Sequence, residues 1–361
     1  MRILHVITTL DTGGAERLMV DLLPLLRDKG HQVELLLFNG VMTPFREELE
    51  QQGIVIHELT NVPGNVRHTE VYNPLNILRL RRYMKGYDLI HTHNTACQLY
   101  VAIARGLAGS HVMLVTTEHN TTNRRRSIPL LRPLDKWMYR QYTKVVCIGD
   151  STRDNLQQYL GSNDKTCVIY NGVKTSRFIR PIKDVSSQDH YVITMVAGFR
   201  PQKDHETLIK ALTHLPANYR VQLVGNGQCE PQMKSLCKSL NLDGRVDFMG
   251  ARMDVPDIME ASDVIVLSSH WEGLSLSSVE GMASGRPFVA SDVDGLSDVV
   301  RGAGCLFPQG DDQALAAIIR QLCEHPDEYR RVAEACQRRA MDYDISVMAD
   351  AYDRLYQSLL K

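Results

Sequence analysis

Short β-branched and aliphatic runs alternate with amphipathic segments over most of the chain, and this alternation restricts the fold more than any other feature. An apolar run bounded by polar turns reads as a buried strand, and apolar positions at helical spacing read as a helix. Strand, helix and strand in succession make a βαβ unit, which pairs its strands in parallel. The runs Ile3–Thr8, Val33–Phe38, Ile54–Leu59, Leu89–Thr92, Val112–Thr117, Lys144–Ile148 and Thr166–Ile169 form one series. Tyr191–Ala197, Arg220–Val224, Val246–Gly250, Val264–Ser268 and Phe288–Ser291 form a second. The clearest helix spans Ala15–Leu26, with Ala15, Leu18, Met19, Leu22, Leu25 and Leu26 on one face and Gly30 as its stop.

A chain of 361 residues exceeds what one such core usually organises, so two domains are expected. The periodicity lapses over Lys174–His190, which contains Pro181 and Ser186-Ser187 and reads as the linker. The fold class is therefore α/β, with two Rossmann-like domains over residues 1–175 and 176–345. A terminal amphipathic helix follows within 346–361, with Val347, Met348, Ala351, Leu355 and Leu359 available to dock.

No run approaches the roughly 18 apolar residues of a membrane-spanning helix, and Met1–Ile7 is too short and polar-flanked for a signal peptide. The eight cysteines include no Cys-x-x-Cys pair, which suits reduced thiols in a cytoplasmic protein. The net charge of -1 conceals an asymmetry: residues 1–180 hold 23 Lys/Arg against 16 Asp/Glu, and the remainder 18 against 26. Basic residues cluster at Arg79, Arg81, Arg82 and Lys85, and again at Arg124, Arg125, Arg126, Arg132, Lys136 and Arg140, interleaved with Leu, Tyr, Met and Trp. Such segments are either solvated helix faces or peripheral contacts with the inner face of the cell membrane. No nucleic-acid reading motif accompanies them.

Between Ser268 and Pro287 a strand ends, a turn of small residues follows, and a short helix opens near Ser277 and closes at Gly285-Arg286-Pro287. That turn lies at the carboxyl edge of a parallel sheet, where doubly wound folds bind ligands and where helix-start amides meet phosphate oxygens. Glu272 and Glu280 bracket it, and both can accept hydrogen bonds from sugar or ribose hydroxyls. The competing assignment makes Ser277-x-x-Glu280 a capping box and Glu272 a solvated loop acid. Gly13-Gly14 opens the first helix and lets a ligand approach the backbone. Neither it nor Gly225-Asn226-Gly227 completes a dinucleotide fingerprint. His91 and His93 share a strand face, but no third ligand at telling spacing marks a metal site, so no metal is expected.

Glu272-x7-Glu280 followed by Gly-Met-Ala-Ser-Gly-Arg-Pro resembles the signature of the family 4 retaining glycosyltransferases, whose fold is called GT-B. The resemblance extends through Gly13-Gly14-Ala15-Glu16-Arg17, Asp88–His93, Thr117-Glu118-His119-Asn120, Ile169–Val173, Gln202–Leu208 and Val224–Gly227. It implies two domains facing across a cleft, the second binding the donor and the first the acceptor, with the terminal helix crossing back to the first. It also implies that Arg200 and Lys203 neutralise a leaving diphosphate with the amides of Gly273, Leu274, Ser275, Leu276 and Ser277. The family's arginine position is held here by Gly198 or Ala197, so Arg200 must reach in from three residues before the lysine. Glu280 would hold the ribose, Glu272 and His119 the donor sugar, and Gly13, Gly14, Asn171 and Gly250 would line the substrate sites. No cofactor is implied beyond a nucleoside diphosphate sugar as co-substrate, a UDP-sugar ahead of a GDP-sugar. The implied acceptor is a glycan or lipid-linked glycan in polysaccharide synthesis. The alternatives are a sugar-nucleotide epimerase of the same fold and a degenerate glycan-binding or partner subunit.

Overall fold

Both series of runs become parallel sheets in the computed structural model, which describes every residue except 12, 63–70, 120–125, 127, 162–163, 187, 274 and 361. The chain divides into two units, Met1–Gly172 with Ile345–Lys361, and Val173–Asp344.

The first unit runs β1 (Arg2–Ile7), α1 (Gly14–Asp28), β2 (Gln32–Asn39), α2 (Pro44–Gln51), β3 (Val55–Thr60), α3 (Leu75–Leu80) and β4 (Leu89–His93). It continues through α4 (Thr95–Leu107), β5 (Met113–Glu118), α5 (Arg132–Arg140), β6 (Lys144–Cys147), α6 (Asp150–Leu160) and β7 (Thr166–Val168). The strand order is β3-β2-β1-β4-β5-β6-β7. Alternate residues supply the two faces: Ile3, Ile7, Leu35 and Leu37 enter one apolar cluster, and Leu4, Val6, Leu36 and Phe38 the other. Strands covered on both sides read as near-continuous apolar runs, which buried His5 of β1 and His91 and His93 of β4 interrupt.

The second unit runs β8 (Tyr191–Val196), α7 (His205–Ala211), β9 (Tyr219–Val224), α8 (Glu230–Ser239), β10 (Val246–Gly250), α9 (Val255–Ala261) and β11 (Val264–Leu267). After these come α10 (Leu276–Ala283), β12 (Phe288–Ser291), α11 (Leu296–Val300), β13 (Cys305–Phe307), α12 (Asp312–Glu324) and α13 (Pro326–Met341). Its order is β10-β9-β8-β11-β12-β13. The sequence reading missed β13 because three apolar residues between Gly304 and Pro308 are too short a run to register.

Two expectations need correction. The stretch Lys174–His190 belongs to the second unit: Phe178 and Val185 are buried in its core, and Val173 N–H donates to the Tyr343 carbonyl at 2.9 Å. The terminal helix, α14 (Ile345–Ser358), docks in the first unit, where Met348, Ala351, Leu355 and Leu359 pack against the core as expected and Val347 does not. Val347 is exposed, while Ile345, Met348, Ala349, Tyr352 and Tyr356 are buried. Tyrosines register weakly in an apolar count, yet these two find polar partners for their hydroxyls in the sheet.

In each sheet the chain winds outward in opposite directions from one strand pair, β1/β4 in the first unit and β8/β11 in the second. The loops leaving the carboxyl ends of such a pair diverge and leave a crevice for ligands.

Candidate functional site

In the second unit, the loops leaving β8 and β11 are stitched together. Asp204 N–H donates to the Ser268 carbonyl at 3.1 Å, Ser268 Oγ to the Asp204 carbonyl at 2.6 Å, and His270 N–H to the Gln202 carbonyl at 2.9 Å. Asp204 also caps α7 by accepting from Thr207 N–H at 3.1 Å. Two glycines let the next strand's exit close on this loop. A Cβ on Gly225 would meet the Ala197 carbonyl oxygen at 2.2 Å, and one on Gly227 the Phe199 oxygen at 2.2 Å.

Within this framework Lys203 Nζ pairs with Glu272 Oε1, and both side chains are largely buried, at 14% and 7% exposure. Ser269 Oγ donates to the same oxygen at 2.8 Å, and Gln202 Nε2 donates to Oε2 at 3.0 Å. Glu272 is therefore a gripped carboxylate, which corrects its reading as a solvated loop acid. The sequence offered no cue to Gln202 or Ser269, because neither residue type nor spacing separates them from ordinary loop residues.

Ser275 forms the N-cap of α10, so Ser277 lies inside the helix and the capping-box assignment fails. The cap side chain bonds no helix amide; Ser275 Oγ lies 3.0 Å from Ser277 Oγ. Ser278 N–H donates to the Ser275 carbonyl at 3.1 Å, which leaves the amides of Leu276 and Ser277, without an acceptor among the described residues, at the positive end of the helix dipole. Glu280 sits half-buried one turn further on, and Gly273 opens the turn. Leu274 lies outside the described residues. Gly295, in the left-handed region at φ +82, supports the turn from below: a Cβ there would meet the Glu272 and Gly273 carbonyl oxygens at 2.5 and 2.6 Å. Gly295→Ala is accordingly expected to cost about 1–3 kcal/mol, read as a lower urea midpoint with an unchanged slope. An unchanged midpoint would show that the turn does not rest on Gly295.

Arg200 is exposed on the β8 loop, and it has no ion-pair partner among the described residues. Gly250 ends β10 at φ +67, where its carbonyl accepts from Gly225 N–H at 2.9 Å. Arg286 is a clamp: buried, it donates to the carbonyls of Pro181 at 2.9 Å, Ser284 at 3.1 Å and Ser262 at 3.2 Å.

The remaining candidates fall in the first unit. Gly13 is the extended N-cap of α1 and Gly14 its first residue. Asn171 is buried, with no partner for Oδ1 among the described residues. His119 follows β5, whose end is anchored by buried Glu118 accepting from Gln98 Nε2 at 2.6 Å, Tyr139 OH at 2.6 Å and Arg126 Nη2 at 2.9 Å. His93 Nδ1 lies 3.1 Å from His119 Nε2, and His93 Nε2 lies 3.0 Å from His5 Nδ1. His5 pairs in register with His91, and this supplies the third imidazole that the sequence reading did not find. The ligating atoms of His5, His91 and His93 lie within 4.8 Å of one another. Most of their nitrogens are hydrogen-bonded: His91 meets Tyr356 OH at 2.6 Å and Thr117 Oγ1 at 2.8 Å, and His5 Nδ1 meets His93 Nε2, while His5 Nε2 has no partner among the described residues. The group is a hydrogen-bonded cluster of buried imidazoles. Burial lowers the pKa of His5 to about 3 and of His119 to about 4, and holds His91 and His93 well below the usual imidazole value.

Two parallel Rossmann-like halves with an acid, a lysine and a helix start at a switch point fit the GT-B glycosyltransferases, and comparison with known proteins agrees. Residues 12–177 match Glycosyltransferase Family 4 and residues 178–339 match Glycosyl transferases group 1. The chain belongs to the family 4 glycosyltransferases. It is 28% identical over 256 residues to an Escherichia coli UDP-Gal:alpha-D-GlcNAc-diphosphoundecaprenol alpha-1,3-galactosyltransferase, covering 65% of this chain and 66% of that one. It is 26% identical to the lipopolysaccharide core biosynthesis glycosyltransferase LpsD of Rhizobium meliloti, covering 99% and 98%. Among solved structures, Anabaena Alr3699/HepE in complex with UDP and glucose superposes with a TM-score of 0.82 at 26% identity, covering 99% of this chain and 100% of that one.

Proposed function

We propose that this glycosyltransferase moves a hexose-type sugar, with retention, from a nucleoside diphosphate sugar to a hydroxyl of a glycan or lipid-linked glycan in cell-surface polysaccharide synthesis. The observation that carries the reading is the joined pair of loops at the β8/β11 switch point. They hold a buried lysine beside a gripped carboxylate, just before a helix start with uncapped amides. Breaking the sugar–phosphate bond develops charge on the leaving diphosphate, and preorganised cations and amides lower that barrier. Lys203, Arg200 and the first-turn amides of α10 serve there, so the leaving group is neutralised without a metal ion. Glu280 takes the ribose hydroxyls, and Glu272, presented by Ser269 and Gln202, takes hydroxyls of the sugar. With both acids so used, same-face departure and attack through an oxocarbenium-like ion suits the site better than a covalent intermediate. The names of the Escherichia coli relative and the Anabaena complex favour a UDP-sugar.

A thermal-shift panel of UDP, GDP, ADP and their sugars tests the donor, because a ligand stabilises the state that binds it. UDP and one UDP-sugar should raise the midpoint most; a panel with no response to any nucleotide contradicts the reading. Proton NMR of the product linkage tests retention.

Among the described residues no helix is long and apolar enough to cross a membrane. Around α5, Ile128, Leu130, Leu134 and Trp137 are 40–89% exposed beside Arg132, Lys136 and Arg140, a combination that suits an anionic bilayer. Leu130→Asp with Trp137→Asp should abolish co-sedimentation with phosphatidylglycerol vesicles at low salt. Equal sedimentation of both proteins would remove α5 from any membrane contact.

A further inference from the structure

The histidine cluster carries more than packing. His5, His93 and His119 form a continuous line: His5 Nδ1 to His93 Nε2 at 3.0 Å, then His93 Nδ1 to His119 Nε2 at 3.1 Å. His5 and His93 are completely buried, and His119 stands at the end of β5. Burial keeps all three neutral at physiological pH, so each ring carries one proton.

Three protons on three rings and two links between them leave only two self-consistent patterns. In one, every donor points toward His119: His5 Nδ1–H to His93 Nε2, and His93 Nδ1–H to His119 Nε2. In the other, every donor points back toward His5. The far end distinguishes them, because His5 Nε2 is buried with no partner among the described residues. The reverse pattern strands an N–H there, and buried N–H groups without acceptors are the rarer defect. The forward pattern leaves only a bare lone pair.

We propose that His5 and His93 are positioning residues that fix His119 in the tautomer protonated on Nδ1, so that its outer nitrogen is a hydrogen-bond donor. The inference rests on the reading that His119 contacts the donor sugar, and it specifies that contact: His119 gives a hydrogen bond to an oxygen lone pair, a sugar hydroxyl or a phosphate oxygen. A free imidazole exchanges both tautomers, and such a site would bind the same oxygen only part of the time. His91 stands outside the line, held by Tyr356 and Thr117, whose hydroxyls can give or take.

The test is long-range proton–nitrogen correlation NMR on the full chain with 15N-labelled histidine at pH 7.5, His119 being assigned by the loss of its signals in His119→Asn. The expected spectrum shows His119 protonated at Nδ1 and bare at Nε2. In His93→Phe the proton should move toward Nε2, and in His93→Gln, which keeps an N–H at that place, it should stay on Nδ1. A wild-type His119 protonated on Nε2 overturns the proposal without any variant having to fold. Titration with UDP-glucose separates the two claims. His93→Phe should weaken binding about fivefold, the loss of roughly one hydrogen bond. If the tautomer is as stated but His119→Asn binds UDP-glucose as the wild type does, the relay stands and the sugar contact of His119 falls.

Discussion

Lys203→Ala is expected to lower kcat/KM about a hundred- to a thousandfold, the range seen when one preorganised charge-stabilising group is removed from an active site. The effect should fall mainly on kcat, because the extra charge on the diphosphate exists only as the bond breaks. The fold should survive. Glu272 would still receive Ser269 Oγ on one carboxylate oxygen and Gln202 Nε2 on the other, so the buried acid is not left bare. Arg200→Ala should cost less, since Arg200 is exposed and water competes for its guanidinium. Steady-state kinetics with a melting curve of each variant checks both. A Lys203→Ala enzyme with wild-type turnover would remove the lysine from the chemistry.

Mild acid should destabilise the first unit more than its surface charges would suggest. A histidine whose folded pKa is lowered binds a proton more readily when unfolded. Its contribution is complete above about pH 7 and is lost as pH falls through 6.5 toward the folded value. For His5, lowered to about 3, the loss by pH 5 is about 2 kcal/mol. His91 and His93 are equally buried and change in the same direction. Facing them are Tyr352 and Tyr356 of α14, Thr117 of β5, His119, and His31, which is paired with Asp353 at 2.9 Å. No carboxylate among the bonded partners of His5, His91 or His93 is available to stabilise an imidazolium. Domain stabilities run to only about 5–15 kcal/mol. Urea unfolding followed through the first unit should therefore show a sharply lower midpoint at pH 5 than at pH 7.5. A midpoint independent of pH over that interval would mean that these imidazoles are not buried neutral.

The parallel sheets were legible because strands covered on both faces leave near-continuous apolar runs, and the Glu272–Glu280 segment because turn, helix start and acids are contiguous. What escaped was long-range. His5 and His91 are 86 positions apart, and only the β1/β4 register brings their rings together. Gln202 matters through the acid it holds 70 positions away. The tyrosine part of the α14 docking face was hidden because tyrosine hydroxyls count against burial until a partner is known, here Thr117 Oγ1 at 2.9 Å from Tyr352 and His91 from Tyr356. The lapse in periodicity after Lys174 begins next to the division at Gly172/Val173, but the backbone beyond it is no free linker, because it packs into the second core through Phe178 and Val185.

The diphosphate grip itself is most directly tested by calorimetric titration of UDP into the wild type, Lys203→Ala and Glu280→Ala at two salt concentrations. The account predicts binding by the wild type that weakens with salt, a marked loss in Lys203→Ala with reduced salt dependence, and a loss in Glu280→Ala that salt does not alter. UDP binding of equal strength to all three proteins would contradict it.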